Sequence, residues 1–209
     1  MRNRTVLAVI GILLIFTESH AQLIRGYGFK VGAVSATETW DSGEYIDVET
    51  QYRWGFTASA FLEVLKVPIF SLVAEAQYAQ RGAIVSFHTT AQDGLPRNYV
   101  FSPRVDYLSV PLMARLRFPM SSLEGYVIVG PRIDFLISTH DDNFVDPSLY
   151  KFVHFEIGLS AGLGAETDSV LPVHILAEIR YNSSFRDSFN NKRVRIRSHS
   201  LDIMLGVRL

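Results

Sequence analysis

Leu201-Asp-Ile-Met-Leu-Gly-Val-Arg-Leu209 closes the chain with apolar residues at 201, 203, 205, 207 and 209, and with Asp202, Met204, Gly206 and Arg208 between them. Successive side chains of a strand point to opposite faces, so this stretch has one greasy face and one mostly polar face. The same two-residue period recurs upstream. Strands are expected at about 26–38, 52–64, 69–87, 104–118, 125–138, 152–167, 172–185 and 197–209. Their connections alternate in length. Leu65–Pro68, Pro119–Glu124 and Asp168–Leu171 are short and carry the Pro, Ser, Asp or Gly that tight turns use. Thr39–Gln51, His88–Pro103, Thr139–Lys151 and Arg186–Ile196 are longer. An even number of amphipathic strands with alternating short and long connections implies an all-β fold: an eight-stranded antiparallel up-and-down transmembrane β-barrel. Periplasmic turns are short in such barrels, so both termini are expected in the periplasm and four long loops outside the cell.

The rest of the chain agrees. Arg2 and Arg4 precede an apolar run, Val6–Phe16, and Ser19-His20-Ala21 offers small residues at a cleavage site before Gln22. Residues 1–21 therefore read as a signal peptide and 22–209 as one barrel domain in the outer membrane of a Gram-negative bacterium. The apolar run is too short to cross about 30 Å of hydrocarbon as a helix. The chain has no cysteine, which excludes disulfides, thiolate metal sites and a lipoprotein anchor. Cleavage would remove two cations and one anion and move the formal net charge from −1 to −2, a balance that gives no reason to expect nucleic acid as a partner.

The two faces can be followed strand by strand. One parity carries Phe56, Ala58, Ala60 and Leu62, then Leu108 to Phe118, Val153 to Ala165 and Val173 to Tyr181. Its aromatics gather at strand ends: Trp54, Tyr78, Phe135, Phe155 and Tyr181 toward the outer interface, Tyr27, Phe70 and Phe118 toward the inner one. Two aromatic girdles around an apolar band suit a wall in lipid. The other parity carries Lys30, Arg53, Arg81, Arg115, Arg117, Arg132, Arg180 and Arg208 against Glu63, Glu75, Asp134, Glu156, Glu166, Glu178 and Asp202. Eight strands leave an interior just wide enough for side chains to fill. Nearly balanced charge in that space is expected to pair into a closed lumen network, because isolated buried charge is costly. Glu156 and Glu178 are expected to face Arg132 or Arg180. Gly158, Gly162 and Gly164 are expected to leave room for Phe61 or Tyr126.

Four segments resemble the PorT-like outer-membrane β-barrel family, often described only as an outer membrane protein β-barrel domain. They are Tyr107-Leu-Ser-Val-Pro-Leu-Met-Ala-Arg-Leu-Arg-Phe118, Gly125-Tyr-Val-Ile-Val-Gly-Pro-Arg132, Phe155-Glu-Ile-Gly-Leu-Ser-Ala-Gly-Leu-Gly164 and the closing Leu201–Leu209. The Val-Pro-Leu and Val-Gly-Pro pair is the most specific part. Leu209 departs from the aromatic residue that commonly ends such barrels. The resemblance implies the fold. The secretion and gliding role of the name-giving member is not carried over, because fold does not give function.

The chain offers few residues in patterns that chemistry uses. His20, His88, His140, His154, His174 and His199 include no pair with zinc-site spacing. His199 and Ser200 are adjacent and so point to opposite faces, which disfavours a catalytic pair. Gly158, Gly162 and Gly164 lie in a strand with no helix behind it, which removes a nucleotide-loop reading. Asp141, Asp142, Asn143 and Asp146 lack calcium-loop spacing. No cofactor, metal or catalytic residue is expected. The reading is a non-enzymatic barrel with a structural, adhesive or secretion-accessory role. Two alternatives stay open: an outer-membrane enzyme acting at the loop rim, and a soluble periplasmic lipocalin-like barrel with the apolar parity turned inward. Expected partners are outer-membrane lipid and an unnamed envelope protein. Arg193, Arg195 and Arg197 alternate with Val194 and Ile196 on the parity of Leu201 and Ile203. Either they form a stripe against lipopolysaccharide phosphates, or they are solvated or paired with Asp141, Asp142 or Asp187, as basic runs ordinarily are.

Overall fold

The computed structural model describes residues 24–41, 48–65, 67–90, 96–140, 155–167, 173–185 and 195–209. The signal-peptide reading of residues 1–21 and the acidic run 141–146 lie outside them. The strands are β1 (Ile24–Asp41), β2 (Val48–Val64), β3 (Phe70–Arg81), β4 (Ala83–Thr90), β5 (Pro96–Phe101), β6 (Arg104–Pro119), β7 (Leu123–His140), β8 (Phe155–Thr167), β9 (His174–Ser184) and β10 (Arg195–Arg208). Eight of them form a ring in the order β1-β10-β9-β8-β7-β6-β3-β2, and β2 returns to β1. Phe29, for example, pairs with Val207 on one side and Ala60 on the other. Closure leaves the ring no free edge. The short links fall at one end of the barrel, between β2 and β3, β6 and β7, and β8 and β9.

The sequence reading of a single strand over 69–87 followed by a loop over 88–103 is corrected. That strand breaks at Gly82, and its last residues continue into the expected loop as β4, which pairs with β5 in an additional hairpin. The hairpin continues the β3–β6 register: Arg81↔Val105 is followed by Val85↔Phe101. It also hydrogen-bonds the upper end of β2, from Val48↔Phe87 to Tyr52↔Ala83. The break has a local cause. Gly82 has φ +132°, where side chains are rarely tolerated, and a Cβ there would collide with the Pro103 carbonyl oxygen. The barrel thus carries a β-ribbon above its rim on the side of the long connections.

The two prolines of the most specific motif also leave a mark on the ladders. The β3–β6 register passes from Ala74↔Leu112 to Gln77↔Ser109, and the β6–β7 register from Pro111↔Arg132 to Ala114↔Val129. Proline has no N–H to give a ladder, so Pro111 and Pro131 account for the gaps.

The parity assignment fixes the environment. Leu205 is 62% exposed and Arg115 is 0% exposed. Apolar side chains such as Phe29, Leu112, Ile157, Ile179 and Ile203 cover the outside, while charged ones fill the inside. This is the inverse of a soluble barrel, and the lipocalin-like alternative is withdrawn on that ground. The interior is not wholly charged. Phe61, Val73, Met113, Tyr126, Ile128 and Leu176 form a buried apolar layer within it. Gly164 makes room for Tyr126, whose ring a Cβ would strike. Phe61 instead lies against Gly28, 2.7 Å from where a Cβ would stand, and Gly158 and Gly162 face strand backbone of β9. The expected role of those two glycines is corrected accordingly.

Candidate functional site

The most chemically dense region is the lumen, where polar residues of every ring strand converge. Its centre is built by β1, β3 and β9. Lys30 Nζ lies 2.6 Å from Glu75 Oε2 and 3.4 Å from Glu178 Oε1. Arg180 donates from Nη2 to Glu75 Oε2 at 3.0 Å and from Nε to Glu178 Oε1 at 2.9 Å. Tyr126 Oη donates to Glu178 Oε2 at 2.9 Å. Lys30, Glu75, Glu178 and Arg180 are fully buried. Each cation meets two carboxylates, which suits groups removed from water.

Below this centre, toward the short turns, Arg115 donates to Glu63 at 3.2 Å and stands 3.8 Å from Glu166. Arg117 pairs with Glu63 and Glu124, and Arg25 reaches Glu63 at 3.4 Å. Arg208, half-buried at the inner mouth, donates from Nε to Glu166 at 2.7 Å. The cations are also seated on rings. Lys30 sits 5.2 Å from the Phe61 centroid, and the Arg115 guanidinium 4.2 Å from that of Tyr126.

Above the centre, Arg81 donates to Asp134 at 2.7 Å, and Arg132 lies 3.0 Å from the same oxygen. Asp202 accepts from the Gln77 amide at 2.8 Å and from the Ser200 hydroxyl at 3.3 Å. Arg53 is half-buried beside the Gly82 break. Glu178 pairs with Arg180. Glu156 corrects the expectation for its neighbour: it accepts from Tyr107 Oη at 3.1 Å and Ser184 Oγ at 2.8 Å, not from a guanidinium in direct contact. Glu156→Gln keeps one acceptor oxygen for these hydroxyls. It is expected to cost about 1 kcal/mol, the scale of one neutral hydrogen bond, in urea unfolding from lipid vesicles.

Sequence reasoning missed the neutral partners Ser71, Gln77, Tyr107, Tyr126 and Ser184. Their inward parity was legible, but a polar uncharged residue on a strand carries no signal of which charge it serves.

On the outer wall, Arg197 is exposed and pairs in register with Thr39. Arg195 opens β10, opposite Asp41, and Arg193 lies outside the described residues. His199 accepts or donates a hydrogen bond with Tyr181 Oη at 2.9 Å, while Ser200 is buried on the opposite face.

The family model described as "Outer membrane protein beta-barrel domain" matches residues 21–190. Among solved structures, the chain is similar to Neisserial surface protein A (NspA), at 16% identity and TM-score 0.50, covering 88% of this chain and 96% of that one. It is also similar to the outer membrane protein OprG from Pseudomonas aeruginosa, at 8% identity and TM-score 0.51, covering 90% and 97%. At these identities the likeness is one of fold. No curated protein matches the chain.

Proposed function

The chain belongs to the outer membrane protein β-barrel domain family, and from that premise we propose that it is a non-enzymatic barrel with a closed lumen that serves as a rigid support for its extracellular face. The observation that carries this reading is the stack of buried ion pairs from Arg117–Glu63 through Lys30–Glu75 to Arg81–Asp134. Eight strands leave an interior that side chains can fill, and paired side chains there leave little room for a water path. What remains for function is the outer wall and the ribbon β4–β5 with the connections around it, which fits a structural, adhesive or secretion-accessory role. A finer place among PorT-like barrels rests on the Pro111 and Pro131 motifs and is part of this proposal. Planar-bilayer recordings should show no large, steady conductance from the purified protein, and such conductance would overturn the reading.

A second reading is favoured by Arg197 standing exposed on the outward parity, just beyond Leu201 and Ile203. Arginine forms bidentate bonds to phosphate, and lipopolysaccharide phosphates lie at the level where the apolar wall ends. The stripe Arg193, Arg195 and Arg197 is proposed to hold them. Replacing all three by Gln should reduce lipopolysaccharide co-purification and its thermal stabilisation of the barrel; no change in either sinks the stripe.

A further inference from the structure

We infer that the outer wall carries a built groove for a phosphorylated glycolipid, formed by β2, β1, β10 and β9 at their ends nearest the long connections. The groove has a volume of about 470 Å³, with Tyr52 and Trp54 on one side, Thr37 and Thr39 along its floor, and Tyr181 and His199 on the other side. This rests on the stripe reading, and names where the rest of the lipid would lie.

The relief follows from the sequence. Tyr52 and Trp54 on β2 are 64% and 63% exposed and rise from the wall. Between them and β10 runs β1, which offers only Ser35, Thr37 and Thr39 at this level, with Ser35 8% exposed. The register places Ser35 opposite Trp54 on one side and Leu201 on the other, and Thr37 opposite His199. The far side is stiffened by the Tyr181–His199 hydrogen bond and by their nearly parallel rings, 14° apart with centroids at 6.1 Å. Small hydroxylated residues between two aromatic banks make a trough.

The chemistry of the occupant follows from the gradient along it. Arg197, paired with Thr39 at the outer end, provides a cationic fork for phosphate. Thr37, Thr39 and Ser35 offer hydroxyls that donate and accept, and aromatic faces on both sides suit the apolar faces of sugar rings. Leu201, Ile203 and Leu205 continue below as exposed apolar wall, where an acyl chain can lie. An amphiphile with phosphate, then sugar, then acyl chain matches this order. A glycerophospholipid offers phosphate and chain without the sugar that the aromatic banks would hold.

Trp54 makes the test direct, because the chain has two tryptophans. In Trp40→Phe, Trp54 is the sole reporter. Titration of this variant in detergent micelles with purified diphosphorylated lipid A should give a saturable change in Trp54 emission, and phosphatidylglycerol should not. Thr37→Phe, which fills the floor from an outward position, and Arg197→Gln should each weaken the apparent affinity roughly tenfold, the scale of losing a charge-assisted contact or the space for a ring. Folding of each variant is checked by the heat-dependent gel shift of a closed barrel. Absence of saturation with lipid A overturns the groove, as does an equal response to phosphatidylglycerol. If Arg197→Gln weakens binding while Thr37→Phe leaves it unchanged, the arginine stripe stands and the groove falls. If Thr37→Phe weakens it and Arg197→Gln does not, the stripe reading falls, and with it the phosphate end of the groove.

Discussion

Glu178→Leu is expected to destabilise the barrel by about 3–5 kcal/mol, the range for removing one partner of a buried charge cluster. Glu178 touches Lys30 and Arg180, accepts from Tyr126, and lies 4.0 Å from Arg115. Removing it leaves Lys30 and Arg180 sharing Glu75, and strips Tyr126 of its acceptor, in a space where none of these groups reaches water. The measurement is the urea midpoint in lipid vesicles. The hydroxyl-bound Glu156 gives the contrast, with its much smaller expected loss. Equal effects at the two positions would mean that the central cluster is not an interdependent unit.

Leu112→Arg is expected to cost about 2–4 kcal/mol, because it places a cation on the lipid face near the middle of the wall. Leu112 is exposed on the outward parity at the centre of β6. Phe118, on the same face and strand but at the inner end, should lose only about 0–1 kcal/mol as Arg, since depth sets the penalty. The comparison is made in the same vesicles. Depth-independent penalties would mean that this face does not lie against hydrocarbon.

Both predictions use a face assignment legible from a period of two. Leu201 to Leu209 displays it without ambiguity, and Lys30, Glu75, Glu178 and Arg180 fell on the inward parity because β1, β3 and β9 alternate regularly around them. Partner choice within the lumen was less legible. Which inward residues meet depends on the stagger between strands, and a single sequence does not state stagger. Glu156 therefore met Tyr107 and Ser184, and Phe61 met Gly28 on the adjacent β1 and not a glycine of β8. The ribbon β4–β5 was hidden for another reason. Gly82 interrupts a continuous alternation without disturbing it, so 69–87 reads as one strand. The polar stretch after it has the composition of a loop, although its backbone pairs in register. The groove escaped notice because small residues on β1 carry meaning only beside the aromatics that the register brings to them.

The proposed arrangement, an apolar wall around a closed, charged lumen, is directly testable because the chain has no native cysteine. Single cysteines placed in turn from Ser200 to Leu205 on β10 can be probed in vesicles with a water-soluble maleimide and with a lipid-phase quencher of an attached fluorophore. The odd positions, Leu201, Ile203 and Leu205, should report lipid, and Ser200, Asp202 and Met204 should react slowly with the maleimide and escape the quencher. Rapid maleimide labelling at the even positions would reveal a water-filled pore in place of a closed lumen, and lipid contact that fails to alternate along the strand would overturn the apolar wall.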